Sequence, residues 1–186
     1  MTSAQLTGRL LVATPILGDP NFDRTVVLLL EHSDEGAVGL VLNRPSETDV
    51  AEPLPEWDEV AAVPSVIFVG GPVAQSAVIG LARCDSGTSY AAGWRTVGGG
   101  IAIVDLTDAA PDVAAPIEAL RLFAGYSGWG PFQLEAEIDA GAWWVVDAAP
   151  DDALSPDPEG LWSAVLRRQR GRLAMHAYFP DDPSSN

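Results

Sequence analysis

The chain has 186 residues, 47% of them hydrophobic and 19% charged, the composition of a folded protein with a sizeable core and not of a disordered one. Ten arginines and no lysine face 26 acids, for a formal net charge of −16, a field that repels nucleic-acid backbones and anionic lipid surfaces. The single cysteine, Cys84, excludes an internal disulfide framework and a multi-cysteine zinc site.

The apolar stretch after Arg9 is cut by Thr14, Pro15, Gly18 and Asp19, unlike the uninterrupted core of a signal peptide. The longest apolar runs, such as Val26–Leu30 and Ala77–Ala82, fall far short of the roughly 18 residues a membrane-spanning helix needs. A cytoplasmic protein without membrane contact is expected.

Dense Val, Ile and Leu runs predict strands at Leu10–Ala13, Thr25–Leu30, Ala37–Leu42, Val66–Val69, Ala77–Leu81, Ile101–Val104 and Trp143–Val146. Several are continuous and not alternating, as in strands covered on both faces. The polar stretch Glu31–Gly36 predicts a hairpin joining the second strand to the third. Residues Ser46–Val63, with Pro53 and Pro55, read as a broken helix or an irregular loop. Apolar spacing predicts helices over Asp112–Phe123, Pro131–Ala140 and Pro158–Arg170. The last ends in Arg167, Arg168, Arg170 and Arg172, cations placed where a helix C-terminus favours them. The tail Pro180–Asn186 is polar. Strands and helices without regular βαβ alternation predict an α+β fold in a single domain.

The segment Gly18–Thr25 offers two readings. Arg24 binds an anion in a shaped loop, or the loop is a turn locked by an internal ion pair. His32 beside Glu31 has the chemistry of a general base, or it is a hairpin-end histidine that hydrogen-bonds its neighbours. The other histidine, His176, lies far along the chain, so no metal site is expected. Pro45 cannot continue a central ladder and places Asn43 and Arg44 on a sheet edge or rim. Gly70-Gly71-Pro72 permits a sharp turn or close backbone approach without the pattern of a phosphate loop, and Gly98–Gly100 reads as a flexible turn. In Gly125-Tyr126-Ser127-Gly128-Trp129-Gly130 the serine lacks the glycine that a nucleophile elbow requires. That segment is either an anion-holding turn before a helix or a packed strand-to-helix corner. Cys84 reads as an inert thiol. The candidate ligand-binding set is therefore Arg24, His32, Asn43, Arg44, Gly70, Gly71, Tyr126 and Trp129, with no catalytic residue, metal or cofactor assigned.

These pieces, taken in order, resemble a known family. Gly8–Ala13, Asp19–Val27, Glu31-His32, Gly36–Pro45, Gly70–Val73, Gly125–Trp129, Gln133–Glu137 and the ending Pro180–Asn186 closely resemble the YqgE/AlgH family of bacterial proteins. Two departures are Ser127, where the family often has alanine, and Phe132, where it often has glycine. The resemblance implies one α+β domain over residues 1–186, its strands curled into a barrel-like sheet flanked by helices. It transfers no catalytic residue, because the family has no established reaction. One branch carries a regulatory label tied to alginate and virulence gene expression. With this charge balance direct DNA binding is disfavoured, since only the Arg167–Arg172 cluster is available to meet phosphate. The expected activity is non-catalytic binding or regulation through a protein or small-molecule ligand. The alternative is an enzyme whose site is built from His32, Glu31, Arg24 and Asn43.

Overall fold

The apolar runs pair into one ten-stranded sheet in a computed structural model that describes residues 5–84, 94–104, 106 and 117–178. Its strands are β1 (Arg9–Ala13), β2 (Val26–Ser33), β3 (Gly36–Val41), β4 (Pro45–Asp49), β5 (Val66–Val69), β6 (Val73–Cys84), β7 (Arg95–Gly98), β8 (Ile101–Val104), β9 (Ile117–Trp129) and β10 (Trp143–Asp147). The helices are α1 (Gln133–Asp139), α2 (Leu161–Arg167) and α3 (Arg172–His176), with 3₁₀ turns at Pro55–Val60 and Asp152–Leu154. The fold is α+β, as expected.

The main path runs β10-β1-β2-β3-β9-β6-β8-β7, with β5 lying parallel to β9 and carrying β4 as an edge. The long strand β9 joins the two halves, since its Ser127–Trp129 end pairs with β3 and its Ile117–Ala124 stretch pairs with β6. The sheet curls into a half-barrel. Arg95 of β7 pairs with Glu31 of β2, and Val97 packs in the same cluster as Leu10 and Leu28.

Strand alternation sorts the core into layers. Leu10, Val12, Val26 and Leu28 face the concave side, where Leu161, Trp162, Val165 and Leu166 of α2 fill the curl. Leu11, Val27 and Leu29 face outward beneath Leu134 of α1. Beyond β9, a second outward cluster of Ile67, Ala82, Leu120 and Leu122 lies beneath Trp57 of the first 3₁₀ turn. Covering both faces explains why these strands read as continuous apolar runs.

Two expectations are corrected. Of the helix expected over Asp112–Phe123, the residues before Ile117 lie outside the described residues, and Ile117–Phe123 is strand. A segment buried on both faces satisfies helical and strand spacing alike, and pairing with β6 decides between them. Arg121, which resembles the polar position of an amphipathic helix, is a buried strand residue. The helix expected over Pro158–Arg170 is shorter, and Arg172 opens α3 beyond Gly171 (φ 69°). Ser46–Val63 holds the edge strand β4 and a 3₁₀ turn, and the mostly exposed strand β7 has no apolar run to mark it in the sequence. The hairpin joins β2 to β3 through Asp34 and Glu35 as predicted. The tail Pro180–Asn186 and the Cys84 side chain lie outside the described residues.

Candidate functional site

A bulge between Leu29 and Glu31 advances the alternation of β2 by one residue. Without it His32 would share the concave face of Leu28 and Leu30; with it the ring turns outward under α1. There Nδ1 accepts the Leu6 backbone N–H at 3.3 Å, so Nε2 carries the proton of the neutral ring and donates it to Glu135 Oε1 at 2.8 Å. The His32 side chain is only 2% exposed. Glu31, on the other side of the strand, pairs with Arg95.

Trp129 belongs to the same outer layer. Its Nε1 donates to Glu137 Oε2 at 2.9 Å, and Trp143 Nε1 donates to that same oxygen at 2.8 Å. Gln133 Nε2 donates to the other oxygen at 3.0 Å, while Phe22 contacts both indoles edge-on or tilted. One carboxylate thus satisfies two largely buried indoles beneath α1.

Asn43 and Arg24 meet elsewhere. The Asn43 Oδ1 accepts Val26 N–H, and its Nδ2 donates to the Arg24 carbonyl, both at 2.9 Å, which fixes Arg24 at a positive φ of 51°. The Arg24 guanidinium lies 4.6 Å from the centroid of the Trp162 ring. Within the same loop, Asp19 Oδ1 accepts Asn21 N–H at 2.9 Å. Arg44 reaches back to donate to the Asp23 carbonyl.

Gly70 and Gly71 turn the chain against β9. A Cβ at Gly70 would lie 2.4 Å from the Gly125 carbonyl oxygen, and one at Gly71 would lie 2.2 Å from the Tyr126 carbonyl. Tyr126 packs against the concave core. The eight candidate residues therefore fall into separate places. Arg44 and Gly71 border an open cleft, Asn43 grips Arg24 over Trp162, and His32 and Trp129 sit under α1.

The cleft itself holds residues that were not singled out. A hollow of about 290 Å³ is bordered by Pro20, Arg44, Pro45, Gly71 and Pro72, and a second of about 390 Å³ by Ser46, Thr48, Pro53, Ile67, Val78 and Ala124. Both include Val69 and Gln75, so they form one groove. Its floor continues the cluster under Trp57, because Leu122 and Ala124 share a face of β9 and Ile67 and Val69 share a face of β5. Val69 and Val78 remain 38% and 39% exposed. In the sequence these residues were visible only as ends of strand runs next to Gly70-Gly71-Pro72.

Two further arginines are structural. Buried Arg121 donates to the carbonyls of Ser155 (2.8 Å) and Val63 (2.7 Å), and its guanidinium stands over the Phe68 ring; burial lowers its pKa to about 10. Arg168 forks onto Asp152 with two 2.6 Å bonds, tying α2 to the second 3₁₀ turn. Among the described residues no group of three or more His, Cys, Asp or Glu side chains is arranged to hold a metal ion, and no helix is long and apolar enough to cross a membrane.

Comparison with known proteins places this architecture. A family model described as AlgH-like matches residues 10–174. A UPF0301 protein of Streptomyces coelicolor is 56% identical over 98% of this chain and 96% of its own length. A UPF0301 protein of Thermobifida fusca is 49% identical over 100% of this chain and 98% of its own. Among solved structures, a Corynebacterium diphtheriae protein superimposes with a TM-score of 0.87 at 30% identity, over 96% of this chain and 95% of that one. The AlgH protein of Pseudomonas aeruginosa superimposes with a TM-score of 0.71 at 33% identity, over 98% of both chains.

Proposed function

The chain belongs to the AlgH-like family, and within it we propose a cytoplasmic, non-catalytic recognition protein that works through the groove over Val69 and Val78. One observation carries this reading. Among the described residues Arg44 is the only ionisable side chain bordering the groove, so this lining offers shape, apolar contact and neutral polar groups but no acid–base pair. The side chains with chemical capacity are used to hold the fold: His32 between Leu6 and Glu135, Glu31 on Arg95, Asn43 on the Arg24–Val26 backbone. The enzyme reading needs His32, Glu31, Arg24 and Asn43 to converge on one opening, and none of the four borders the groove.

The test is affinity capture from lysate of the producing cells with wild type, a Val69→Asp/Val78→Asp variant and a His32→Gln variant, each checked for folding by circular dichroism. Partners lost from the groove variant and kept by His32→Gln support the proposal. A partner set unchanged in the groove variant removes the groove from the function, and metabolite turnover abolished by His32→Gln replaces recognition with catalysis.

A further inference from the structure

The groove is apolar along its floor and charged at one point. That point is Arg44, half-buried in the lining of the first hollow. Its Nη2 donates to the Asp23 carbonyl, which steadies the guanidinium and leaves Nε and Nη1 without a partner among the described residues. Asn21 and Gln75 bring side-chain amides to the same hollow. Gln75 borders both hollows because it stands on a bulge of β6. Pairing with β9 is made at Val73 and resumes only at Val78, and Ala74 between them lies at φ 47°. Past Gln75 the second hollow is apolar on Ile67, Val69, Val78 and Ala124, with Ser46 and Thr48 on its β4 side.

We infer that the groove holds the C-terminal end of a partner polypeptide, its terminal carboxylate on Arg44 and the apolar side chains just before it over Val69 and Val78. This rests on the recognition reading above. The lining selects each part of that ligand. A guanidinium with Nε and Nη1 unused matches a carboxylate, and no acid among the lining residues competes for it. The apolar floor is the kind of exposed patch that marks a protein contact. Ser46, Thr48 and Gln75 beside it offer hydrogen bonds to the main-chain amides of a peptide, which the hydrocarbon of a fatty acid has no group to use. The −16 net charge opposes a polyanion such as a nucleic acid. A single carboxylate in contact with Arg44 is governed by that near cation, since physiological salt screens distant acids beyond about 8 Å.

The probes are two fluorescein-labelled octapeptide pools whose last three positions are drawn from valine, leucine, isoleucine and phenylalanine, read by fluorescence anisotropy on the full chain. One pool ends in a free carboxylate and the other in an amide. The carboxylate pool is expected to bind at least about tenfold more tightly than the amide pool. Arg44→Gln, checked for folding by circular dichroism, removes that margin and leaves the amide pool as it was, while Arg44→Lys keeps part of the margin. Val69→Asp/Val78→Asp abolishes binding of both pools. Equal or tighter binding of the amide pool, lost in the Val69/Val78 variant, overturns the C-terminal occupant while the groove reading stands. A margin that survives Arg44→Gln, or carboxylate-pool binding that survives Val69→Asp/Val78→Asp, places the carboxylate elsewhere and overturns the inference. Octanoate that displaces the labelled carboxylate pool as well as the unlabelled pool does makes the occupant a free acid and overturns it too. Failure of both pools to bind also overturns it, and the capture experiment then decides separately whether the groove binds anything.

Discussion

On the β1–β3 side of the sheet, α1 lays Leu134 among Leu11, Val27, Leu29 and Val41 and brings Glu135 and Glu137 to the buried donors His32, Trp129 and Trp143. On the β5–β9–β6 side the 3₁₀ turn lays Trp57 in a cluster with Ile67, Leu120 and Leu122, while Val69 and Val78 stay exposed. Both outer faces begin as the same apolar strand pattern. The first is sealed by a helix whose carboxylates answer its buried donors His32, Trp129 and Trp143, and the second is left half open, with Val69 and Val78 exposed. An open apolar surface without internal partners is available to a ligand; a sealed one serves stability.

Trp57→Ala is the largest way to disturb this contrast. It removes the cover of the second face and is expected to lower unfolding free energy by about 3–5 kcal/mol in urea denaturation. Glu137→Leu attacks the sealed face instead. It strands two largely buried indole N–H groups, at a cost of about 2–4 kcal/mol by the same measurement.

Arg121 on β9, the strand common to both faces, gives a pH test. Burial lowers its folded pKa to about 10, well below that of the free side chain. Above about pH 10 the folded chain releases a proton that the unfolded chain keeps, so this group's contribution rises with pH by up to about 1.4 kcal/mol per unit. Relative to Arg121→Met, wild-type stability should therefore improve between about pH 10 and 11 and run parallel to the variant below about pH 9. A wild type that loses ground to the variant over that interval contradicts the desolvation account.

Phe132 is where this chain departs from the glycine common in the resembling family, and its φ is 60° with the ring 64% exposed at the start of α1. Phe132→Gly relieves a left-handed backbone, offset in part by greater unfolded-chain entropy, and should raise stability by about 0.5–1 kcal/mol.

What was legible in the sequence followed local pattern. Leu10–Ala13, Ile101–Val104 and the Glu31–Gly36 hairpin needed only apolar runs and a polar turn to be placed. Ile117–Phe123 was misjudged because its strand identity lies in β6, dozens of residues away in the chain. The site was less legible for a related reason. His32 reads in the sequence either as a general base or as a hydrogen-bonded hairpin-end residue, because the bulge that turns it onto Glu135 leaves no mark in composition, and Glu135 is 103 residues further on. The groove residues Val69, Gln75 and Val78 have no chemistry to announce them; what distinguishes them is that they stay exposed beside the cluster of Trp57 and Ile67.

The smallest expected effect is the sharpest test of that last point. Val27 and Val78 are both strand valines on outward faces, but Val27 is fully buried under α1 while Val78 is 39% exposed in the groove. Val27→Ala loses the transfer energy of a buried side chain and leaves a small void, about 1.5–3 kcal/mol. Val78→Ala removes atoms that already touch solvent and should stay within about 0.5 kcal/mol. The same substitution thus reads the two faces directly by chemical denaturation. A Val78→Ala cost equal to that of Val27→Ala would mean that the groove floor is covered in solution, and the open surface on which recognition depends would be lost with it.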